Sequence, residues 1–267
     1  MKLMKRQLGQ TDLKVSPVGL GTVKLGRNQE VKYPVSFSLP QDNEVADLLA
    51  MAKELGINLI DTAPAYGSSE QRLGRLLRDR EDWVICTKVG EEFTGGQSYF
   101  DFSGQHINDS VERSLRYIQT DYLDIVLIHS DGSDEQIIRS SDCIETLTRL
   151  KEKGLIRAIG MSSKTLTGGL LAVDCTDVVM VTYNPSNTGD ADVIEKASLE
   201  NKGVLVKKAL NSGHDCYSGD RNIDAVAHNL NFVYSNQGVD SVIIGTINSE
   251  HLVQNVKAAI TAIEHTR

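Results

Sequence analysis

Eight short apolar runs recur along the chain, and a stretch with helical spacing follows each of them. The runs lie at 16–22, 57–63, 83–89, 123–130, 156–163, 178–185, 203–210 and 241–246, and are dense in Val, Ile and Leu. Continuous apolar runs of this length, bounded by polar residues, suit strands buried on both faces, as in a parallel sheet. The stretches between them carry apolar residues three and four apart, as at Val45, Leu48, Leu49 and Ala52, at Val111, Leu115 and Ile118, or at Leu252, Val256 and Ile260. Gly56, Gly154, Gly203 and Gly238 stand where helix C-caps are expected. Eight such units in 267 residues predict an α/β fold, a closed (β/α)8 TIM barrel with residues 1–267 forming one domain. An open doubly wound sheet would carry G-x-G-x-x-G after its first strand. The corresponding segment, GLGTVKLG, has the wrong final spacing, and no P-loop pattern is present.

Charge and composition narrow the function. A net charge of −8 with 5% aromatic residues is a poor match for a nucleic-acid partner. No apolar run reaches membrane-spanning length. The charged start MKLMKRQLGQTDLK is not followed by an apolar segment, so no secretory signal is expected. A cytoplasmic location is expected, with Cys86, Cys143, Cys175 and Cys216 as reduced thiols. None forms a C-x-x-C pair, and no metal site is expected. Asn108-Asp109-Ser110 fits a glycosylation sequon but reads as a helix start, with Asp109 and Glu112 as a capping box. The segment QLGQTDLKVS predicts an N-terminal β-hairpin that plugs the bottom of the barrel. Two long connections, 25–40 and 90–106, follow strand C-termini and rise over the barrel mouth. They carry Tyr33 and Phe37, and Phe93, Tyr99, Phe100 and Phe102.

Ionisable residues collect at the same end. Asp61 closes the second strand, Lys88 the third and His129 the fourth, while Tyr66 follows on the loop leaving the second. Buried strands do not carry such groups without a reason. A free phenol titrates near 10, too high for efficient acid–base work near neutrality, but an adjacent ammonium favours its ionised form. A carboxylate would keep the lysine charged. Asp61, Lys88, Tyr66 and His129 thus form a charge chain able to exchange a proton with a carbonyl or hydroxyl oxygen.

The segments GLGT, INLIDTAPAYGSSEQRLGRLL, TKVG, SLRYIQTDYLDIVLIH, KEKGLIRAIGMSS, VTYNP, GVLVKKALNSG and IIGTINSEHLVQNV resemble the aldo-keto reductases, in the family's order, from about residue 7 to 257. The chain is most similar to bacterial-type members with a short C-terminus. The resemblance implies a barrel that reduces aldehyde and ketone carbonyls reversibly with NAD(P)H. Tyr66 would then donate the proton, Lys88 lower its pKa, Asp61 hold Lys88, and His129 orient the carbonyl, with hydride coming from a nicotinamide in the mouth. Gly21, Thr22, Asp61, Ser162, Ser163 and Lys207 would border the cofactor there. Leu210 and Gly213 belong to its pyrophosphate segment, and Gly245, Thr246, Asn248, His251, Gln254 and Asn255 surround its adenosine end.

The sequence also departs from common family patterns. Ser163 replaces a frequent Asn, Met180 a Gln, and Lys207 the tyrosine that often stacks on the nicotinamide. Gly245 and His251 stand where a Lys and an Arg often grip the 2′-phosphate. The resemblance still implies NADP(H) favoured over NAD(H), and the aromatic loops lean toward apolar or aromatic carbonyls. Two other functions fit parts of the pattern. A Schiff-base aldolase would use Lys88, Lys207 or Lys208, and a weakly catalytic nucleotide-sensing subunit would resemble potassium-channel β-subunits. Substrate identity and oligomeric state are not legible here.

Overall fold

The computed structural model describes residues 2–216 and 224–266. It opens with an antiparallel hairpin of β1 (Arg6–Gln7) and β2 (Lys14–Val15). Each apolar run then forms one strand. These are β3 (Val18–Gly21), β4 (Leu59–Asp61) and β5 (Val84–Val89), then, after a second hairpin of β6 (Glu91–Thr94) and β7 (Gln97–Phe100), β8 (Leu123–His129) and β9 (Ile156–Ser162). The series ends with β10 (Val178–Thr182), β11 (Gly203–Lys207) and β12 (Ser241–Ile244). The eight strands other than the two hairpins pair in parallel and close into a barrel, β12 returning to β3.

Helices follow every barrel strand. They are α1 (Val23–Gly26), α2 (Asp42–Glu54), α3 (Ser69–Leu76), α4 (Gly104–Ile118), α5 (Asp134–Ser140), α6 (Cys143–Glu152), α7 (Leu166–Cys175), α8 (Ala191–Leu199), α9 (Ala225–Ser235) and α10 (Ser249–His265). Two connections therefore hold an additional short helix, α1 and α5, beyond the one per strand that the sequence predicts. No helix among the described residues is long and apolar enough to cross a membrane.

Successive strand residues face opposite sides. Ile60, Ile85, Val126, Val179 and Val204 face outward into the core shared with the helices. Leu59, Val84, Ile125, Val178 and Leu205 face inward, where Leu8, Leu13 and Val15 of the first hairpin pack against them. The hairpin is the expected plug. Met180 belongs to the same interior cluster, so it fills the barrel.

Two local expectations are corrected. The helix expected to begin at Asp109 begins at Gly104, where the Ser103 hydroxyl caps the His106 N–H. Starting there brings Ile107, fully buried, onto the same apolar face as Val111. Gly56 and Gly154 have the positive φ of C-caps, at 87° and 77°, whereas Gly203 opens β11 and Gly238 has no positive φ. The long connection 90–106 carries the second hairpin, in which β6 and β7 pair around Gly95-Gly96, at φ 61° and 81°. Cys86 and Cys143 are buried free thiols and Cys175 is half-buried; the side chain of Cys216 falls outside the described residues.

Candidate active site

The inward series of each strand changes character at its C-terminal end. On β4 it runs Leu59, Asp61; on β5, Val84, Cys86, Lys88; on β8, Ile125, Leu127, His129. The same alternation carries Ser162 inward at the end of β9 and Lys207 at the end of β11. Asp61 and Lys88 are only 4% and 1% exposed. Lys88 Nζ donates to Asp61 Oδ1 at 2.5 Å and to the Thr62 carbonyl at 2.8 Å. It also lies 4.7 Å from the centre of the Tyr66 ring. That ring meets His129 edge-on, 6.2 Å away at 87°. The four expected side chains come together at one mouth.

Tyr66 gets there by a turn. It ends a 3-10 segment, Pro64–Tyr66, followed by Gly67 at φ 61°. Gly67 approaches Gly26 so closely that a Cβ on it would lie 2.2 Å from the Gly26 carbonyl oxygen. A side chain there would displace the turn and Tyr66 with it. Thr22 steadies the neighbouring strand end: its hydroxyl donates to the Asp61 carbonyl at 2.8 Å and accepts from Ser69 at 2.7 Å.

Charge in the mouth follows from burial and pairing. Burial works most strongly against the Lys88 ammonium, but Asp61, Tyr66 and Cys86 acting together raise the lysine above its ordinary value. Burial pushes the Tyr66 phenol up, while Lys88 pulls it down without reversing the shift. Lys88 acts in the expected direction, yet the net result is a phenol that keeps its proton. Burial lowers His129, with Glu91 opposing. Lys207 falls to about 7, through burial first and then through Lys208 and Lys88.

The remaining expected residues divide into those near the mouth and those turned away. Lys207 Nζ donates to Ser162 Oγ at 2.7 Å and to the Ser163 carbonyl at 2.9 Å. The Ser163 side chain faces α7, its Oγ 3.1 Å from where a Cβ on Gly169 would sit. Gly21 and Gly245 are adjacent, a Cβ on Gly21 lying 3.5 Å from Gly245. Leu210 is half-buried, and Gly213 sits at φ 89° in a stretch where Lys208, Asn211 and Ser212 also have positive φ. Such strain concentrates at ligand clamps. At the start of α10, Asn248 caps the His251 N–H at 3.1 Å and Thr246 Oγ1 accepts from the Asn248 N–H at 3.1 Å. His251 and Gln254 are exposed on this helix and Asn255 is buried.

The sequence pattern of the Aldo/keto reductase family matches residues 17–225. The chain belongs to this family. It is 32% identical to an L-galactose dehydrogenase of Arabidopsis thaliana, over 98% of this chain and 90% of that one. It is also 32% identical to an NADH-specific methylglyoxal reductase of Escherichia coli, over 60% of this chain and 52% of that one. A solved candidate aldo-keto reductase from Pseudomonas aeruginosa superimposes with a TM-score of 0.88 at 53% identity, covering 97% of this chain and 95% of that one. The protein is thus an oxidoreductase of a family that uses NAD(P)H.

Two residues of the reductase's mouth escaped the sequence reading. Glu91 Oε2 lies 2.8 Å from His129 Nδ1. Arg27 stacks over the Phe93 ring at 3.4 Å and donates to the Ala65 carbonyl, beside Tyr66, at 3.1 Å. Both long connections do reach the mouth. From 25–40, the Tyr33 hydroxyl lies 3.2 Å from where a Cβ on Gly245 would sit. On the second hairpin, Phe100 is 38% exposed, within 5.5 Å of the Lys164 ammonium.

Proposed function

We propose that the reductase converts aldehyde or ketone carbonyls to alcohols, reversibly, with Tyr66 as the proton donor. The observation that carries this reading is the chain from the Tyr66 phenol through the Lys88 ammonium to the Asp61 carboxylate. A phenol that holds its proton at neutral pH can give it to a carbonyl oxygen as that oxygen gains charge. Lys88, kept charged by Asp61, stabilises the tyrosinate left behind. His129 contributes a ring nitrogen to orient the substrate oxygen.

The residues present fit a nicotinamide dinucleotide: Ser162 and Lys207 offer polar groups to its carboxamide, Gly21 and Gly245 leave room, and the strained 208–213 segment suits its pyrophosphate. When bound, that cofactor supplies the hydride. Ser163 would act through its carbonyl alone, and Thr22 through holding Asp61.

NADP(H) is the favoured form in this reading. Thr246, Asn248 and the N-terminus of α10 offer donors to a 2′-phosphate, His251 adds a ring N–H, and Glu250 opposes. The NADH-specific relative of Escherichia coli makes the point worth measuring. Dissociation constants for NADPH and NADH are expected to favour NADPH, and His251→Arg is expected to strengthen NADPH binding while leaving NADH binding nearly constant. Tighter NADH binding in the wild type overturns the preference.

Substrate choice is assigned to the two connections, with apolar or aromatic carbonyls preferred. Phe93→Ala or Phe100→Ala is expected to reorder carbonyl substrates by kcat/KM while cofactor affinity stays constant. Equal loss on every substrate, with a lower Tm, would show that these rings only hold the hairpin in place. The activity itself is tested with aldehydes, ketones and aldoses by loss of nicotinamide absorbance. Repeated turnover on one class supports it, and none on any class contradicts it.

A further inference from the structure

Lys207 ends β11 on its inward side and is half-buried at the mouth. Its side chain passes β10 to reach the end of β9, where Nζ meets Ser162 Oγ at 2.7 Å and the Ser163 carbonyl at 2.9 Å. Lys53, Lys88, Lys151 and Lys196 each pair with a carboxylate at 2.5–2.6 Å. Lys207 pairs with none among the described residues. An ammonium has three protons to donate, and only two acceptors meet this one. A neutral amine satisfies both acceptors with its two protons and keeps its lone pair.

The charges around Lys207 favour the neutral form. Burial acts first, Lys208 beside it, Lys88 on β5 and Lys164 after β9 add to it, and Asp190 ahead of α8 opposes, bringing the group to about 7. His129 on β8 lies within the same field. Asp190 is itself engaged by the Thr182 N–H at 3.0 Å. The three lysines that could serve as amine nucleophiles are thereby separated. Lys88 is held as an ammonium against Asp61, and Lys208 is exposed. Lys207 alone of the three combines desolvation, neighbouring cations and no paired carboxylate, the conditions that activate a lysine amine.

We propose that Lys207 is a covalent carbonyl-binding site, at which an aldehyde or ketone entering the mouth condenses with Nζ to form a Schiff base. The class of ligand rests on the reductase reading, which brings carbonyls to this mouth; the reaction goes beyond it. The Nζ lone pair forms the C–N bond, and the carbonyl π pair moves onto oxygen. That oxygen takes the proton the nitrogen loses, with Ser162 Oγ in place to pass it, giving a carbinolamine. The C–O bond then breaks, the second amine proton leaves with the hydroxyl as water, and a C=N bond remains. Nothing is oxidised or reduced.

The full chain, treated at pH 7 with propanal and cyanoborohydride before any nucleotide is added, records the imine as an N-propyl group, which peptide mass spectrometry locates. An ordinary lysine, titrating near 10.4, is free base to about one part in 2,500 at pH 7, so a group titrating near 7 holds about 10³ times more. Lys207 is expected to be propylated about 10² to 10³ times faster than exposed lysines, the scale of that ratio. Its rate is expected to rise through pH 7 and level off, while exposed lysines keep gaining toward about pH 10. Unfolding the protein in urea abolishes the selectivity. Propylation of Lys207 no faster than that of exposed lysines, or a preference for Lys88 or Lys208, overturns the proposal, and the wild-type map shows this without any variant. Lys207→Met is expected to remove the fast phase of total labelling, and a fast phase that persists in the folded variant overturns the proposal as well. Selective trapping without turnover on any carbonyl upholds Lys207 and removes the reductase reading. Turnover without selective trapping overturns the proposal and leaves that reading standing.

Discussion

Tyr66→Phe is expected to lower carbonyl reduction by about 10² to 10⁴, the range of one general acid, with cofactor affinity unchanged. The substitution deletes a single oxygen. The ring keeps its edge contact with His129 at 6.2 Å and its place 4.7 Å from the Lys88 ammonium, so the turn Pro64–Tyr66 has no reason to move. What disappears is the proton. Steady-state rates at neutral pH and cofactor titration of the same preparation check this, and a variant retaining about a tenth or more of wild-type turnover, far outside that range, contradicts the assignment.

Lys88→Met is expected to damage both activity and stability. Lys88 and Asp61 are a buried pair, 1% and 4% exposed, and Lys88 also satisfies the Thr62 carbonyl. Removing one partner of such a pair costs about 3–5 kcal/mol, because the other charge stays buried without compensation. The tyrosinate formed during reduction loses its neighbouring cation at the same time, so the kinetic pKa of Tyr66 rises and the rate falls steeply. Asp61→Asn acts in the same direction but more mildly, since the ammonium remains. Thermal unfolding and pH–rate profiles measure the two effects separately. Unchanged pH profiles in both variants would leave the charge chain without support.

The barrel was legible because parallel strands covered on both faces are written as uninterrupted apolar runs, a signal that survives without knowledge of contacts. The grouping of the candidate site was legible for a related reason. Asp61, Lys88 and His129 each fall on the inward parity of their strand, one step beyond the last apolar inward residue. The same parity places the Ser163 side chain outward, which a motif comparison overlooks. Glu91 was not legible because Gly90, at φ 98°, breaks the alternation just before it. The hairpin that carries it has half-buried and exposed positions throughout, so no apolar period announces strands there. Arg27 was hidden similarly, since its partners, the Ala65 carbonyl and the Phe93 ring, lie on connections whose path no local pattern dictates. The start of α4 was misplaced because a capping-box spelling can occur inside a helix, and burial of Ile107 decides which start is used.

In the proposed function this mouth completes repeated carbonyl reductions and does not merely hold a nucleotide. Multiple-turnover reaction of wild-type protein with NADPH carrying deuterium at both C4 positions and a reactive carbonyl, followed by mass spectrometry of the alcohol, tests it most directly. Alcohol is expected in large excess over protein, with one deuterium on the carbinol carbon of each molecule. Alcohol limited to one equivalent of protein, or formed without the label, would contradict it.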